Sequence, residues 1–487
     1  MMRFENLRYA SAAFIAVVLV CITGCKLGPD YQRPNVATPA QWRQQTSTPE
    51  TIANIAWWNF FQDAALTNLI AQAVTNNHDV RIAVARIEQA HGNYRAQRSA
   101  LFPSIDASGG WTRSRAPSPF TGDAITANQF NLLGLLSYEV DIWGRLRRLN
   151  EAARAELLAA EETRRTVYMT LISEVAATYF DLRALDEQVE ISKRTLESRE
   201  KSLELTRIRF SNGQGIVSEL DIRQAETQFY SARATLADLE RQVALRENEL
   251  SLLLGRNPGA IPRGRPLSDP QLHEKIPAGL PSDLLLRRPD LLAAEQRLIA
   301  ANANIGAARA AYFPTISLTA ALGLQSIELR DLFDTGASGV WRFAPQVATP
   351  IFNAGRIAGG VEVARAVRAE ALVNYERAIQ SAFREVEDSL VSTHKLAEQL
   401  AAQEKTVAAE RGRLELSTLR YEGGVSSYSD VLDAQRSLFG AELILAQLRS
   451  VRLVAIAQLY RALGGGWQDA SVKLTQQREP AKEEDQK

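Results

Sequence analysis

Four short segments of the chain alternate apolar and polar residues, as strands do when their two faces meet different surroundings. In the third segment, Ile316, Leu318, Ala320, Leu322 and Leu324 share one face. Each segment is about ten residues long, the length of a tilted strand that crosses a bilayer. A small soluble sheet gives the same pattern, so alternation alone does not decide between a membrane-spanning sheet and a soluble one. The predicted strands are 103–113, 129–140, 315–325 and 340–351.

Each pair of strands is followed by a very long helical segment, and these helix pairs span 145–254 and 356–463. Residues 145–212 contain neither Gly nor Pro, so they can form one helix of up to ~100 Å. Core-type residues along it keep a 4-3-4-3 spacing, which predicts a heptad seam where helices wrap around each other. The seam residues are Leu171, Val175, Thr178, Leu182, Leu185 and Val189.

The chain repeats itself at an offset of 211 residues (Phe102-Pro103 against Phe313-Pro314) and later of 209 (Gly215 against Gly424). This period is far longer than that of solenoid repeats, so we interpret it as a duplicated domain. In each copy a helix stops at the Phe-Pro pair, because Pro disfavours helical backbone in the residue before it. The predicted first repeat is 62–260, the linker 261–282 and the second repeat 283–466.

Composition excludes several classes of function. The 56 basic residues equal the 56 acidic ones, which removes the case for a nucleic-acid partner. Two Cys and four His without ligand spacing speak against a metal site. No Gly-rich phosphate loop is present, and the carboxylate clusters lie on long helices. We therefore expect no cofactor, no metal and no enzymatic activity.

The N-terminus is typical of an exported lipoprotein. Arg3 and Arg8 precede an apolar run over 10–22, so residues 1–24 are predicted to be a signal peptide. The sequence that ends at Cys25 resembles a bacterial lipobox, in which this cysteine is lipidated. Lys26 follows in place of an inner-membrane retention Asp, which fits the outer membrane. Residues 25–61 are then a lipid-anchored segment, and the polar tail 467–487 is expected to be disordered.

Four membrane strands cannot close a barrel alone. An open edge in lipid leaves backbone groups unpaired, and the smallest outer-membrane barrels have eight strands. If the strands cross the membrane, copies of the chain must share one barrel. Two copies give eight strands and a filled interior, whereas three give twelve and more room. The residues alone leave this choice open.

Four motifs spread along the chain carry a resemblance to a known family. They are Cys25-Lys26-Leu27-Gly28-Pro29-Asp30-Tyr31, Arg287-Arg288-Pro289-Asp290-Leu291, Ala311-Tyr312-Phe313-Pro314 and Leu432-Asp433-Ala434-Gln435-Arg436. Together they resemble the TolC/OprM-like outer membrane factors, nearest the lipoprotein branch of the outer membrane subunits of RND-type multidrug efflux. The resemblance covers about 25–466. It implies a mixed α/β homotrimer, in which four strands per chain form a twelve-stranded barrel that continues as a long α-helical coiled-coil barrel with an equatorial belt.

The resemblance also implies a function. It implies the exit channel of a tripartite efflux system, which passively conducts drugs or other small molecules out of the cell. The protein would be lipid-anchored in the outer membrane and would extend into the periplasm. Its partners would be outer-membrane lipid, a periplasmic adaptor (membrane fusion) protein and an inner-membrane RND-type pump. Two alternatives stay open: the outer-membrane duct of a polypeptide secretion system, and a periplasmic coiled-coil scaffold without a pore.

The family's periplasmic gate maps onto the turns between the long helices. The resemblance implies rings of carboxylates from Asp430 and Asp433, which share one helix face, and hydrogen bonds at Tyr421 and Asp221 that hold the tip closed. The alternative for Asp430 is a solvated helix start stabilised by the helix dipole. Ser426 replaces a linking arginine of the family, and a two-residue insertion within 209–215 leaves the first tip's conformation open.

The lipid site can be tested directly. Cys25→Ser should abolish metabolic labelling with a radioactive fatty acid, because the thiol is the atom that becomes acylated. Labelling is measured on the immunoprecipitated protein, and the trimer need not be lost with the lipid. Persistent labelling would disprove Cys25 as the attachment site.

Overall fold

The computed structural model describes residues 25–43, 50–117, 124–212, 217–269 and 277–467. The expected signal peptide, the expected tail from 468 onward and residues 213–216 at the insertion lie outside these ranges. Seven main helices and four strands follow one another along the described chain. They are α1 (Ala64–Asn76), α2 (His78–Ser99), β1 (Ser104–Pro117), β2 (Ala124–Val140), α3 (Arg145–Ser211), α4 (Glu219–Leu253), α5 (Pro289–Ala310), β3 (Thr315–Ser326), β4 (Gly339–Ala348), α6 (Arg356–Glu422) and α7 (Tyr428–Ala462).

Short turns of helix lie before α1 and between the later elements. Three are α-helical, at Trp57–Phe60, Leu284–Arg287 and Thr335–Ser338, and three are 3₁₀ turns, at Ile52–Asn54, Pro281–Asp283 and Leu329–Asp331.

The strands form one antiparallel sheet in the order β1-β2-β3-β4. Its central pairing joins β2 of the first repeat to β3 of the second, with Leu136 opposite Ala320. The first hairpin is longer than the alternation predicts: β1 continues from 113 to Pro117, and β2 begins at Ala124 instead of 129. The extra residues are paired through their backbones, as at Arg115 opposite Thr126, and such pairing does not require alternating side chains. Strand β4 ends at Ala348, three residues before the predicted end.

One face of the sheet carries rows of apolar residues across all four strands. One row joins Ile105, Leu136, Ala320 and Phe343, and the next joins Ala107, Gly134, Leu322 and Trp341. Large members of these rows are exposed, with Leu322 at 72% and Trp341 at 79%. Soluble proteins rarely expose apolar surface in such a continuous patch.

The two longest helices, α3 and α6, have 67 residues each, which corresponds to ~100 Å. All six seam residues predicted on α3, from Leu171 to Val189, are buried, as a heptad seam requires. Helix α4 begins with a capping box, in which Ser218 and Asp221 satisfy each other's backbone N–H groups. The prediction of a mixed α/β fold with four strands and long helix pairs is thereby confirmed.

Both strand-to-helix junctions turn through a glycine with positive φ. Gly144 has φ 75° before α3 and Gly355 has φ 86° before α6. Side chains with a Cβ are strained in this region, whereas glycine adopts it freely. The sequence repeat Gly-Arg at 144–145 and 355–356 therefore reflects the same backbone requirement in each copy.

The chain forms two compact units, and each takes segments from both repeats. The first contains 25–36, 85–161 and 293–377; the second contains 37–84, 162–292 and 378–467. The second unit holds the large apolar core, where the rings of Phe60 and Tyr460 stack with centroids 4.2 Å apart. A smaller cluster of alanines on α3 and α5, including Ala155 and Ala303, lies in the first unit.

Within the first unit, the segment after Cys25 is built into the fold. The fully buried Arg148 donates hydrogen bonds to the carbonyls of Leu27 (2.9 Å) and Gly28 (3.2 Å) and to the carboxylate of Asp30 (2.9 Å). Gly28 crosses the backbone of Gly306 on α5 so closely that a Cβ on Gly306 would lie 2.5 Å from the carbonyl oxygen of Leu27. Residues 27–30 therefore pack as part of the fold and do not form a free tether.

This packing predicts opposite effects for two helical glycines. Gly306→Ala should destabilise the protein by about 1–3 kcal/mol, because the added methyl group overpacks the crossing. Gly412→Ala is the matched control: no atom lies within 4 Å of its added methyl group, so it should stabilise by about 0.5–1 kcal/mol. Thermal unfolding followed by circular dichroism measures both. Equal effects would disprove the close crossing.

Candidate functional site

The turn between α6 and α7 is the expected periplasmic tip. Helix α6 ends where Val425 N–H bonds the carbonyl of Arg420 at 2.9 Å, with Gly424 at φ 71°. The rings of Tyr421 and Tyr428 lie 5.2 Å apart across the turn. The Tyr428 hydroxyl also meets the hydroxyl of Ser202 on α3. Ring and hydroxyl contacts therefore hold this end of α7 against α6 and α3.

Asp433 is bound by two arginines. Arg413 on α6 donates to one carboxylate oxygen at 2.5 Å, and Arg436 on α7 donates to the other. The hydrogen bond from Arg413, followed by the charge of Arg436, lowers the pKa of the Asp433 carboxyl. The carboxylate therefore stays ionised and bound at neutral pH, and the attraction is lost only as the pH falls through this lowered pKa.

Asp430, one helical turn earlier, differs from Asp433 in its ionic partners. Its side chain is exposed, and within the described chain no basic residue forms an ion pair with it. Residues i and i+3 share a helix face, so the two carboxylates point the same way but differ in their partners. Asp430 is the one available to a mobile cation.

The structure does not join Tyr421 and Asp221, the other two residues of the expected gate, within one chain. Asp221 accepts hydrogen bonds from the backbone and hydroxyl of Ser218, both at 2.8 Å. Between Tyr421 and Asp221, both among the described residues, no hydrogen bond is present. The Ser426 hydroxyl, where the family has its linking arginine, is buried with no partner in the described chain, so it does not replace that arginine.

Sequence reasoning missed both arginines at Asp433. Arg436 could have been identified from the sequence, because it follows Asp433 by three residues on the same helix. Arg413 could not, because it lies 20 residues earlier, on the other helix of the hairpin. Its role depends on how α6 and α7 pack together.

The candidate lipid-attachment residue lies at a strand-to-helix junction. Cys25 is exposed and its thiol is free. The next residues are fixed, because Lys26 pairs with Glu151 at 2.6 Å and Leu27 N–H bonds the carbonyl of Trp143 at 3.2 Å. The chain that follows Cys25 is therefore held close to the end of β2, where the sheet passes into α3.

The sequence matches the family described as outer membrane efflux protein over residues 69–256 and 280–465. The chain is 42% identical to the toluene efflux pump outer membrane protein TtgF of Pseudomonas putida, over 94% of this chain and 98% of that protein. It is 38% identical to the cation efflux system protein CusC of Escherichia coli, over 93% and 98% respectively.

The fold is similar to that of solved channels. The crystal structure of the open state of the Neisseria gonorrhoeae MtrE outer membrane channel superposes with a TM-score of 0.82 at 35% identity. The match covers 91% of this chain and 99% of that one. The similarity thus includes both repeats and the sheet.

The bound state of Asp433 predicts a salt-sensitive tip. Arg413→Gln and Asp433→Asn should each speed amide hydrogen exchange over 421–430 by roughly two- to fivefold, because each removes the exposed ion pair between α6 and α7, and Asp433→Asn also removes the pair with Arg436. The double variant should exchange no faster than Asp433→Asn alone, and the differences should vanish in 1 M salt, where the Debye length is about 3 Å. Lys405→Gln, an exposed α6 change, is the control. Additive effects of the two changes would contradict the pair.

Proposed function

Because the chain belongs to the outer membrane efflux protein family and forms an outer-membrane exit channel of an efflux system, we propose that it works as a lipid-anchored homotrimer. Each copy contributes four strands to a twelve-stranded barrel, and its long helices continue the wall into the periplasm. The proposal rests on one observation, which is that the sheet has two open edges, β1 and β4.

Among the described residues, strands β1 and β4 each pair on one side only. All four strands have 10 to 17 residues, which is enough to cross a bilayer. In lipid, the free N–H and C=O groups of β1 and β4 need partners, and another copy supplies them when its β4 pairs with β1. Twelve strands leave room for a lumen, whereas eight are filled by their own side chains.

The apolar rows of the sheet support a membrane location. Ile105, Leu322, Trp341 and Phe343 are all more than half exposed in the single chain, and they belong to one face. Residues on the opposite face include Asp106 and Arg342, in one row of the register. A barrel with an apolar exterior and a polar lumen has this distribution.

Apolar residues near the helix tips support a protein partner there. Leu205, Ile208 and Phe210 of α3 and Leu416 and Leu419 of α6 are exposed. We assign this end to a periplasmic adaptor protein, which links the channel to an inner-membrane RND-type pump. The pump supplies the energy, and the channel conducts passively. Relatives named for toluene and for cations indicate small molecules as the transported class.

Two measurements on the protein extracted from outer membranes test this proposal. Native mass spectrometry should give three chains, and planar bilayers should show stepwise ion conductance. A single chain, or a trimer without conductance, would refute the shared barrel and leave a scaffold. Deleting the gene should increase susceptibility to small toxic compounds; unchanged susceptibility together with loss of a secreted protein would favour the secretion duct.

The proposed gate predicts opposite effects on block by a trivalent cation added on the periplasmic side. Asp430→Asn should weaken block by roughly tenfold, because a trimer loses three carboxylates that face one axis. Arg413→Gln should strengthen block, because it removes one of the two arginine charges that neutralise the carboxylate of Asp433. Inhibition of single-channel conductance measures both effects.

Glu404→Gln serves as the matched control, since it removes an exposed α6 carboxylate far from the tip. If Asp430→Asn left the block unchanged, Asp430 would not line the entrance. If Arg413→Gln weakened the block, the pairing of Arg413 with Asp433 would not limit cation binding.

A further inference from the structure

The apolar face of the sheet ends in a pair of stacked aromatic rings. Its first row joins Ile316 to Val347, and its sixth row joins Trp111 to Phe130. Successive rows are two residues apart, so six rows cover about 34 Å along the strands, which a tilt of about 40° reduces to a height of roughly 25 Å. An outer-membrane barrel has an apolar band of this height, with aromatic residues at its boundaries. The rings of Trp111 and Phe130, whose centroids are 6.3 Å apart, therefore lie at one boundary of the band.

Two arginines continue the same face beyond these rings. Alternate residues along a strand share a face, so Arg113 and Arg115 follow Trp111 on the side that carries the apolar rows. Their partners on β2 are Asn128 and Thr126, which are uncharged. Both arginines are exposed, and in the part of the chain that the structure describes no carboxylate forms an ion pair with either. Positive charge thus begins directly beyond the apolar band.

The carboxylates that follow β3 at this end of the sheet are already engaged. Glu328 binds Arg330 at 2.7 Å, and Asp331 lies 3.5 Å from the same guanidinium. These three residues belong to the connection between β3 and β4. They balance one another's charge, and the anion that balances Arg113 and Arg115 has to come from outside this connection.

This end of the sheet lies away from the long helices. Strand β1 ends at Pro117 and β2 begins at Ala124, whereas α3 follows the opposite end of β2. With the helices in the periplasm, as in the proposed assembly, Arg113 and Arg115 lie at the level of the outer leaflet's headgroups. Many lipid headgroups carry phosphate, and a guanidinium group binds phosphate through two parallel hydrogen bonds.

We propose that Arg113 and Arg115 form a binding site for the phosphate group of a lipid in the outer leaflet. The acyl chains of this lipid lie along the apolar rows, and its headgroup binds the two guanidinium groups beyond Trp111. The inference rests on the proposed barrel and adds to it a preferred class of lipid. This lipid is distinct from the transported molecule and from the acyl group expected on Cys25.

Native mass spectrometry of the purified, assembled protein titrated with diphosphorylated lipid A tests the proposal. We expect saturable binding, and weaker binding of the same lipid after enzymatic removal of its phosphates. Arg113→Gln and Arg115→Gln should each weaken binding roughly fivefold, and the double variant about thirtyfold, because each arginine near a membrane surface adds a similar attraction. Arg342→Gln is the matched control, since it removes an exposed arginine from the opposite face of the sheet, and it should bind like the unaltered protein.

Replacing both arginines by lysine supplies a second arm. Lysine keeps the charge and loses the fork of parallel donors, so this variant should bind more tightly than the double glutamine variant. Inorganic phosphate should compete only weakly, because it lacks acyl chains that contact the apolar rows. Efficient competition by inorganic phosphate would overturn the lipid site.

Three further outcomes would also overturn it. They are equal binding of lipid A with and without its phosphates, unchanged binding in the double glutamine variant, and loss of the trimer in that variant, which would show that the arginines bind a neighbouring copy instead. Conductance of the unaltered protein in planar bilayers separates this inference from the proposed function. A conducting trimer with phosphate-independent lipid binding would refute only the lipid site, whereas a protein without conductance would refute the barrel itself.

Discussion

Pairing of backbone hydrogen-bonding groups at the edges of the sheet is the constraint on which this protein depends. A four-stranded sheet in water tolerates two open edges because water satisfies them. In hydrocarbon each unpaired group costs several kcal/mol, so β1 and β4 are stable only when they pair with further strands. In the proposed assembly, other copies of the chain supply these partners, and closing the barrel creates the lumen of the channel.

The same sheet shows how the two copies of the duplicated sequence pack together. In sequence, the two repeats are separate halves with a linker between them. In the structure, β2 of one repeat pairs with β3 of the other, and each compact unit takes segments from both copies. The repeat is therefore a unit of sequence and of local structure. Packing joins equivalent parts of the two copies, because neither hairpin satisfies its inner edge alone.

Charge at the tip illustrates how tertiary contacts change the chemistry of a motif. Two aspartates one turn apart suggest equal members of an acidic ring. Arg413 and Arg436 bind Asp433, whereas Asp430 remains exposed. Two residues that the sequence presents as alike thus differ in their ionic partners. Arg199 on α3 is a second example. The sequence presents it as one of many arginines on the long helices, and only the tertiary structure shows that it is buried.

The sequence by itself determined the features that depend on local periodicity. Alternation predicted the strands, and the 4-3-4-3 spacing predicted the buried seam from Leu171 to Val189. These features follow from side-chain spacing and backbone sterics within a few residues. Only the tertiary structure decided the strand order, the extra pairing of β1 with β2 up to Pro117, the crossing of Gly28 with Gly306 and the partner of Asp433. Each of these joins segments that are distant in sequence, and their geometry is set by packing, which no local pattern encodes.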